Sequence, residues 1–115
     1  MSTRILLVDD HAILLDGVKN LLDKEDGLKV VGLCENAEHA LEFLLKNEVD
    51  IVITDFNMPG MDGYELSERA TRVRPTLKIL QLSGRERRRD GFPMLRKPFS
   101  EEDLARVMQQ TTGVC

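Results

Sequence analysis

The chain has 115 residues, a formal net charge of −4 at pH 7 and a hydrophobic content of 42%. A chain of this length builds one hydrophobic core, so we expect a single domain spanning residues 1–115. The negative charge argues against direct nucleic-acid binding, which needs a positive surface to displace counterions. Cys34 and Cys115 form no disulfide or metal-ligand pattern, and the N-terminal apolar run is too short for a signal peptide or membrane span. A cytoplasmic protein with no membrane contact is therefore expected.

Strand-like and helix-like segments alternate along the chain. Ile5–Val8 is a β-prone run that two acids stop, and His11–Lys24 carries aliphatic residues at helical spacing. The remaining strands are predicted at Leu28–Leu33, Ile51–Thr54, Lys78–Ser83 and Phe92–Arg96. Helices are predicted at Ala37–Asn47, from the cap Asp62 to about Arg74, and after Ser100. Their spacing predicts that Leu45, Val73, Leu104 and Val107 are among the residues that these helices bury.

This alternation predicts a parallel sheet whose strands are joined by right-handed crossovers. The runs ILLV and IVIT are apolar on both faces, as strands covered by helices on both sides are. We therefore predict a doubly wound α/β sandwich of three layers. In such a sheet the ligand site lies at the carboxyl ends of the strands.

The residues that follow the predicted strands are mostly polar: Asp9 and Asp10 after the first, Asp55 after the third, Ser83 and Gly84 at the end of the fourth, and Lys97 and Pro98 after the fifth. A single acid at a strand end is commonly solvated or caps a helix, but here several such residues converge on one edge. Three adjacent carboxylates repel one another and favour a bound cation. All-oxygen ligation suits Mg²⁺ or Mn²⁺, and Mg²⁺ is often completed by a phosphate, which indicates phosphoryl chemistry.

Four segments together resemble the receiver domain of bacterial two-component response regulators. They are LVDDH at 7–11, ITDFNMPGMDG at 53–63, LS at 82–83 and KPF at 97–99. The resemblance covers nearly the whole chain. It implies a flavodoxin-like sheet of five parallel strands in the order 2-1-3-4-5.

The resemblance also implies roles for individual residues. Asp55 would accept a phosphoryl group from a phosphohistidine on a histidine kinase or a histidine phosphotransfer protein, and Lys97 and Ser83 would contact that group. The Mg²⁺ or Mn²⁺ ligands would be Asp9, Asp10, Asp55 and the backbone carbonyl of Asn57. The switch and backbone-shaping positions would be Gly84, Met94, Pro59, Gly63 and Pro98, with Met94 where an aromatic residue is common.

The connection between the fourth and fifth strands departs from the family pattern. It reads GRERRRDG at 84–91, and a crossover containing a helix needs about 10–12 residues. We therefore predict that the fourth helix is missing or reduced. The arginine-rich run at 85–89 is either a solvated loop or a docking patch for an acidic partner or phosphate. Exposed strand edges beside a shortened loop would favour a homodimer.

The leading interpretation is a single-domain signalling phosphoacceptor, which is not an enzyme beyond its own phosphorylation and slow dephosphorylation, and which acts on a downstream protein. The alternative is the receiver portion of a longer DNA-binding response regulator or hybrid kinase. A second alternative is a Mg²⁺-dependent phosphatase with an aspartyl-phosphate intermediate. Such enzymes generally need an acid two residues after the nucleophile, where this chain has Asn57. A degenerate receiver that binds a partner without phosphorylation is disfavoured by the intact acids.

Overall fold

The computed structural model describes residues 3–10, 12–25, 27–55, 63–83, 94–96, 102–104 and 106–107. Within them lie five strands and three helices, which alternate up to the fourth strand: β1 (Thr3–Val8), α1 (Ala12–Asp23), β2 (Leu28–Cys34), α2 (Ala37–Lys46), β3 (Ile51–Asp55), α3 (Gly63–Val73), β4 (Lys78–Ser83) and β5 (Met94–Arg96). Residues 102–104 and 106–107 are also helical. The cap predicted at Asp62 and the start of the last helix at Ser100 lie outside the described residues.

All four strand pairings are parallel, and the strand order is β2-β1-β3-β4-β5. The predicted fold class and strand order are therefore confirmed. β1 lies between β2 and β3, so its side chains are covered on both faces of the sheet. Leu6 and Val8 join the core on the side of α2 and α3, whereas Ile5 and Leu7 join the core on the side of α1 and the last helix. This explains why the run ILLV is apolar throughout.

The interior is aliphatic, and most of the predicted inward residues are buried. Leu104 is buried, and Val107 packs against the same core, as predicted for the last helix. Leu45 and Val73 contradict the prediction, because their exposed fractions are 68% and 38%. Both lie in the last turn of their helices, where fewer neighbours cover the helix face. The guanidinium of Arg74, the residue after α3, donates to the backbone carbonyls of Leu44 and Asn47 at the end of α2.

The fifth strand is short and pairs only with the end of β4. Gln81 pairs with Met94, and Ser83 pairs with Arg96. The first residue of β5 therefore lies only two residues back from the end of β4 along the strand direction. At the usual rise per residue this distance is about 7 Å. A full crossover helix is not needed to cover that distance. The prediction of a missing or reduced helix concerns residues 84–93, which lie outside the described residues.

The edge of the sheet opposite the predicted site is held by an arginine. The guanidinium of Arg4 on β1 binds both carboxylate oxygens of Asp50, with Nε–Oδ2 and Nη2–Oδ1 distances of 3.1 Å. The backbone N–H of Arg4 also donates to Asp50 Oδ2 at 2.7 Å, and Nη1 binds Glu48. Because Asp50 precedes β3, these bonds align the starts of β1 and β3.

The pairing of β1 with β2 is irregular next to Gly32. Ile5 pairs with Val30 but Leu6 pairs with Gly32, so β2 carries one extra residue at this point, which is a β-bulge. A Cβ atom on Gly32 would lie 2.8 Å from Cζ of Phe43, whose ring comes from α2. The close approach of this ring therefore requires a glycine.

Gly32→Ala is expected to lower the free energy of unfolding by about 1–3 kcal/mol, because the added methyl group displaces the Phe43 ring. Gly17 in α1 is the matched control, since a Cβ atom there meets nothing within 4 Å. Gly17→Ala is expected to raise the free energy of unfolding by about 0.5–1 kcal/mol. Urea denaturation followed by circular dichroism measures both changes. Equal effects of the two substitutions would contradict the close packing at Gly32.

A pH dependence is expected from the ion pair between Arg4 and Asp50. The hydrogen bond from Arg4 lowers the pKa of Asp50 below its ordinary value of 3.8. The stabilisation is therefore fully present above about pH 4 and is lost as the pH falls through the folded-state pKa. The difference in thermal midpoint between the wild type and Arg4→Met should be largest near neutral pH and should shrink below about pH 4. A difference that is the same at both pH values would show that the charge interaction contributes nothing.

Candidate functional site

The parallel register brings the ends of β1 and β3 to the same level. Val8 pairs with Thr54, so the next residues along each strand, Asp9 and Asp55, lie side by side at the carboxyl edge of the sheet. Neighbouring strands are about 4.8 Å apart. The two acids that sequence patterns assign to one site are therefore adjacent in the backbone.

The two acids after β1 differ in their surroundings. Asp9 is 2% exposed, and its backbone N–H donates to the carbonyl of Cys34 at 3.0 Å, which extends the pairing of β1 with β2 by one residue. Asp10 is exposed to solvent. Cys34 is buried at the end of β2, as expected, and burial raises the pKa of its thiol. The sheet therefore fixes one carboxylate at the rim and leaves the next one open to solvent.

A small cavity lies directly beneath Asp9. Apart from Asp9 itself, it is lined only by aliphatic side chains: Leu7, Val8, Leu15, Val18, Ile53 and Leu82. Such walls offer no hydration and no opposite charge to a carboxylate. A cation or an ammonium group that approaches Asp9 would therefore come from the rim above it.

The ends of β4 and β5 continue the same rim. Asp55 pairs with Leu82, so Ser83 comes one residue further along the neighbouring strand. Ser83 in turn pairs with Arg96, the last residue of β5 and the residue before Lys97 in the chain. The carboxyl ends of the described strands therefore follow one another along the sheet in the order β1, β3, β4 and β5.

Several predicted site residues are described only in part or not at all. The structure describes the side chains of Asp9 and Asp10. It describes the backbone alone for Asp55, Ser83, Met94 and Gly63, of which Gly63 is the first residue of α3. The following predicted residues lie outside the described residues: Asn57, Pro59, Gly84, Lys97 and Pro98. Their roles stay predictions.

The donor set fits a hard divalent cation. Asp9 and Asp10 supply carboxylate oxygens at the rim, and the backbone of Asp55 lies beside them. Oxygen donors of this kind are the ligands of Mg²⁺ and Mn²⁺. Among the residues covered by the structure, no group of three His, Cys, Asp or Glu side chains could hold a metal. The third carboxylate of the predicted set, Asp55, is one whose side chain is not described.

Sequence reasoning missed a buried polar layer beneath the rim, formed by Thr54, Ser67 and Gln81. All three residues have an exposed fraction of 0%. The Gln81 side-chain Nε2 donates to Ser67 Oγ at 3.0 Å, which joins β4 to α3. Thr54 pairs with Gln81 across β3 and β4, so their side chains point to the same face of the sheet. The only available signal was a glutamine inside the otherwise apolar run ILQL.

This fold and this arrangement of acids define a class of signalling domain, and comparison with known proteins places the chain in it. The chain belongs to the response regulator receiver domain family, whose sequence profile matches residues 5–109. The resemblance stated from the sequence motifs is therefore confirmed. In the part of the chain that the structure covers, no helix is long and apolar enough to cross a membrane.

Individual relatives agree with this assignment. The chain is 40% identical over 82 residues to the uncharacterized transcriptional regulatory protein YesN of Bacillus subtilis, a match that covers 70% of this chain and 22% of that protein. It is 37% identical over 79 residues to the response regulator UvrY of Escherichia coli K12, covering 69% and 36% respectively. The chain thus spans about a fifth to two fifths of the length of these curated relatives.

Among solved structures, the chain is similar to the signal receiver domain of an HD domain-containing protein from Pseudomonas fluorescens Pf-5. The TM-score is 0.87 at 26% sequence identity, and the match covers 98% of this chain and 96% of that one. The similarity extends over nearly all of both chains.

Asp10→Asn is expected to stabilise the protein in the absence of divalent metal. Removing one carboxylate relieves repulsion at the rim by about 1 kcal/mol, the interaction of two charges roughly 4 Å apart in water. The same substitution should abolish most of the rise in thermal midpoint that Mg²⁺ produces in the wild type.

Asp16→Asn is the control, since Asp16 is an exposed acid on α1. It should keep the Mg²⁺-dependent rise in thermal midpoint. Thermal denaturation with EDTA or with added Mg²⁺ gives both values. An Mg²⁺ response that persists in Asp10→Asn would exclude Asp10 as a ligand.

Proposed function

We propose that this receiver domain accepts a phosphoryl group on Asp55 from a phosphohistidine of a histidine kinase or a histidine phosphotransfer protein. The observation that carries the proposal is the register of the sheet, in which Asp55 lies beside Asp9 and one residue below the level of Ser83 on the next strand. A carboxylate carried by a sheet strand stands on a rigid support, and a rigid support favours the fixed geometry that an in-line attack on phosphorus needs.

In the proposed reaction, one carboxylate oxygen of Asp55 attacks the phosphorus of the donor. A P–O bond forms, the P–N bond to the histidine breaks, and the histidine nitrogen keeps the bonding electron pair and takes up a proton. Asp9, Asp10, Asp55 and the carbonyl of Asn57 would hold Mg²⁺ or Mn²⁺, which when bound neutralises charge on the phosphoryl oxygens. Lys97 would contribute a further positive charge to the same oxygens.

The product is an acyl phosphate, which adds close to two negative charges at the rim. Ser83 is the last residue of β4, so a hydrogen bond from its hydroxyl to the phosphoryl group would bias the connection that follows. The result is a shift between two populated conformations. The chain would act as a signalling phosphoacceptor that promotes its own phosphorylation and slow dephosphorylation, and not as an enzyme acting on other substrates.

The downstream target of the domain depends on which other domains the whole protein contains. YesN is named a transcriptional regulatory protein and UvrY a response regulator, and the chain matches 22% and 36% of their lengths. These shares favour the receiver portion of a longer regulator over a receiver that acts alone. In either case the domain would work in the cytoplasm, with a kinase or phosphotransfer protein on one side and a downstream protein or second receiver on the other.

A phosphatase with an aspartyl-phosphate intermediate is less well supported. Such an enzyme needs an acid or base two residues after the nucleophile to move protons, and Asn57 stands there. An amide side chain does not transfer protons at neutral pH. Rapid turnover is therefore not expected.

The test is phosphorylation by a small phosphodonor in the presence of Mg²⁺, followed by intact-protein mass spectrometry. The wild type is expected to gain the mass of one phosphoryl group, and Asp55→Asn is expected to gain none. Asp16→Asn is the control, because Asp16 is an exposed acid on α1 and takes no part in aligning β1 with β3. It should be phosphorylated like the wild type.

Two results would contradict the proposal. A wild-type protein that gains no phosphate with any donor would leave a receiver that binds partners without phosphorylation. Equal phosphorylation of Asp55→Asn would place the acceptor at another residue. Release of inorganic phosphate over many rapid cycles would instead favour the phosphatase.

A further inference from the structure

The carboxyl end of β4 borders empty space. Leu82 forms part of the wall of the cavity beneath Asp9, together with residues of β1, β3 and α1. Leu80 lies two residues earlier on the same face of β4, is fully buried and does not line this cavity. The strand is therefore closely packed at Leu80, whereas at Leu82 it has room beside it.

A void in a core has a cost and a consequence. Side chains that face it lose the dispersion contacts that neighbouring atoms would supply, so the void lowers the stability of the fold. A side chain in a close-packed interior cannot shift without displacing its neighbours, whereas a side chain beside a void can. A second packing arrangement is therefore open to Leu82 without a rearrangement of the remaining core.

Leu82 lies beside two acids of the proposed reaction. Its backbone pairs with Asp55 on β3, and its side chain lines the same cavity as Asp9. A phosphoryl group on Asp55 would add close to two negative charges next to this end of β4. The part of β4 that has room to move is therefore also the part in register with the phosphorylated residue.

The position of β5 depends on the same end of β4. The three residues of β5 pair with the last three residues of β4: Gln81 with Met94, Leu82 with Leu95 and Ser83 with Arg96. In the sheet that the structure describes, β5 is the outermost strand and β4 is its one neighbour. A displacement of residues 81–83 would therefore carry β5 with it, while the first residues of β4 keep their pairing with β3.

We propose that the cavity is a conformational device that lets the end of β4 change its packing and so transmits a change at the rim to β5. In the second arrangement, the Leu82 side chain occupies space that is empty in the first, and β5 follows the backbone of residues 81–83. Leu15 and Val18 limit that space from the side of α1. The inference rests on the proposed function, because phosphorylation of Asp55 supplies the bias between the two arrangements.

The test fills the cavity and measures whether β5 still responds. Val18→Ile adds one methylene group to a side chain that lines the cavity, so the thermal midpoint should rise or stay within about 3 °C of the wild type. Beryllofluoride with Mg²⁺ serves as a stable mimic of the phosphoryl group. In the wild type this mimic should shift the amide resonances of residues 94–96, and in Val18→Ile the shifts should fall below about half of the wild-type values.

Val49→Ile is the matched control. It makes the same chemical change in a buried residue that belongs to the core on the other face of the sheet and does not line the cavity. Its resonance shifts on addition of the mimic should equal those of the wild type. An equal reduction in both variants would show that added volume anywhere in the core weakens the response, and would contradict the role of the cavity.

Full-sized shifts of residues 94–96 in Val18→Ile would overturn the inference. So would a phosphorylated wild type in which these resonances do not change. If Val18→Ile does not fold, hydrostatic pressure on the wild type decides, because pressure favours the state with less void volume. Pressure should move the resonances of residues 94–96 in the same direction as the mimic, and movement in an unrelated direction would contradict the proposal.

The gain of phosphate separates the two hypotheses. A wild type that gains no phosphate counts against the proposed function. Val18→Ile should gain the mass of one phosphoryl group like the wild type, so a full gain with full-sized shifts counts against this inference alone. A Val18→Ile protein that gains no phosphate beside a phosphorylated wild type would place the cavity in the reaction itself, and would also contradict the inference.

Discussion

The parallel register of β1, β3 and β4 collects like charges at one edge of the sheet, and much of the remaining structure serves to hold them there. Asp9 and Asp55 lie on adjacent strands at the same level, and Asp9 is almost fully buried above aliphatic walls. Acids at the ends of adjacent strands favour a bound cation, which the proposed phosphoryl transfer would use. Two extended cores on the faces of the sheet support these strand ends.

The two edges of the sheet have opposite characters. At the amino edge, Arg4 pairs with Asp50 and Glu48, so every close charge in that group has an opposite partner. At the carboxyl edge, acids are placed beside acids. The bonds of Arg4 at the amino edge fix the register of β1 against β3. This register places Asp9 beside Asp55 at the carboxyl edge. Directly beneath the rim lies the buried polar layer of Thr54, Ser67 and Gln81, in which the hydrogen bond from Gln81 to Ser67 joins β4 to α3.

Much of the fold could be predicted from local sequence patterns. The apolar runs ILLV and IVIT indicated doubly covered strands, and the motif resemblance supplied the strand order that the structure confirms.

Features that depend on contacts between distant segments could not be predicted. The ion pair of Arg4 with Asp50, the ring of Phe43 against Gly32, and the bond of Gln81 to Ser67 each join residues that no local pattern connects. Leu45 was wrongly predicted to be buried because helical periodicity does not show where a helix extends past its neighbours. For the site, the sequence identified acids that the backbone register then brings together, whereas the roles of Lys97 and Asn57 stay predictions.

The proposed phosphorylation needs both Asp55 as the acceptor and a divalent metal. The most direct measurement is to locate the phosphoryl group chemically. Borohydride reduces an acyl phosphate to the corresponding alcohol, so reduction after phosphorylation, followed by peptide mass spectrometry, marks the carboxyl group that carried it. We expect homoserine at position 55 when Mg²⁺ is present, and unmodified aspartate there when EDTA replaces it. Reduction at a different acid, or equal reduction of Asp55 with and without metal, would contradict this expectation.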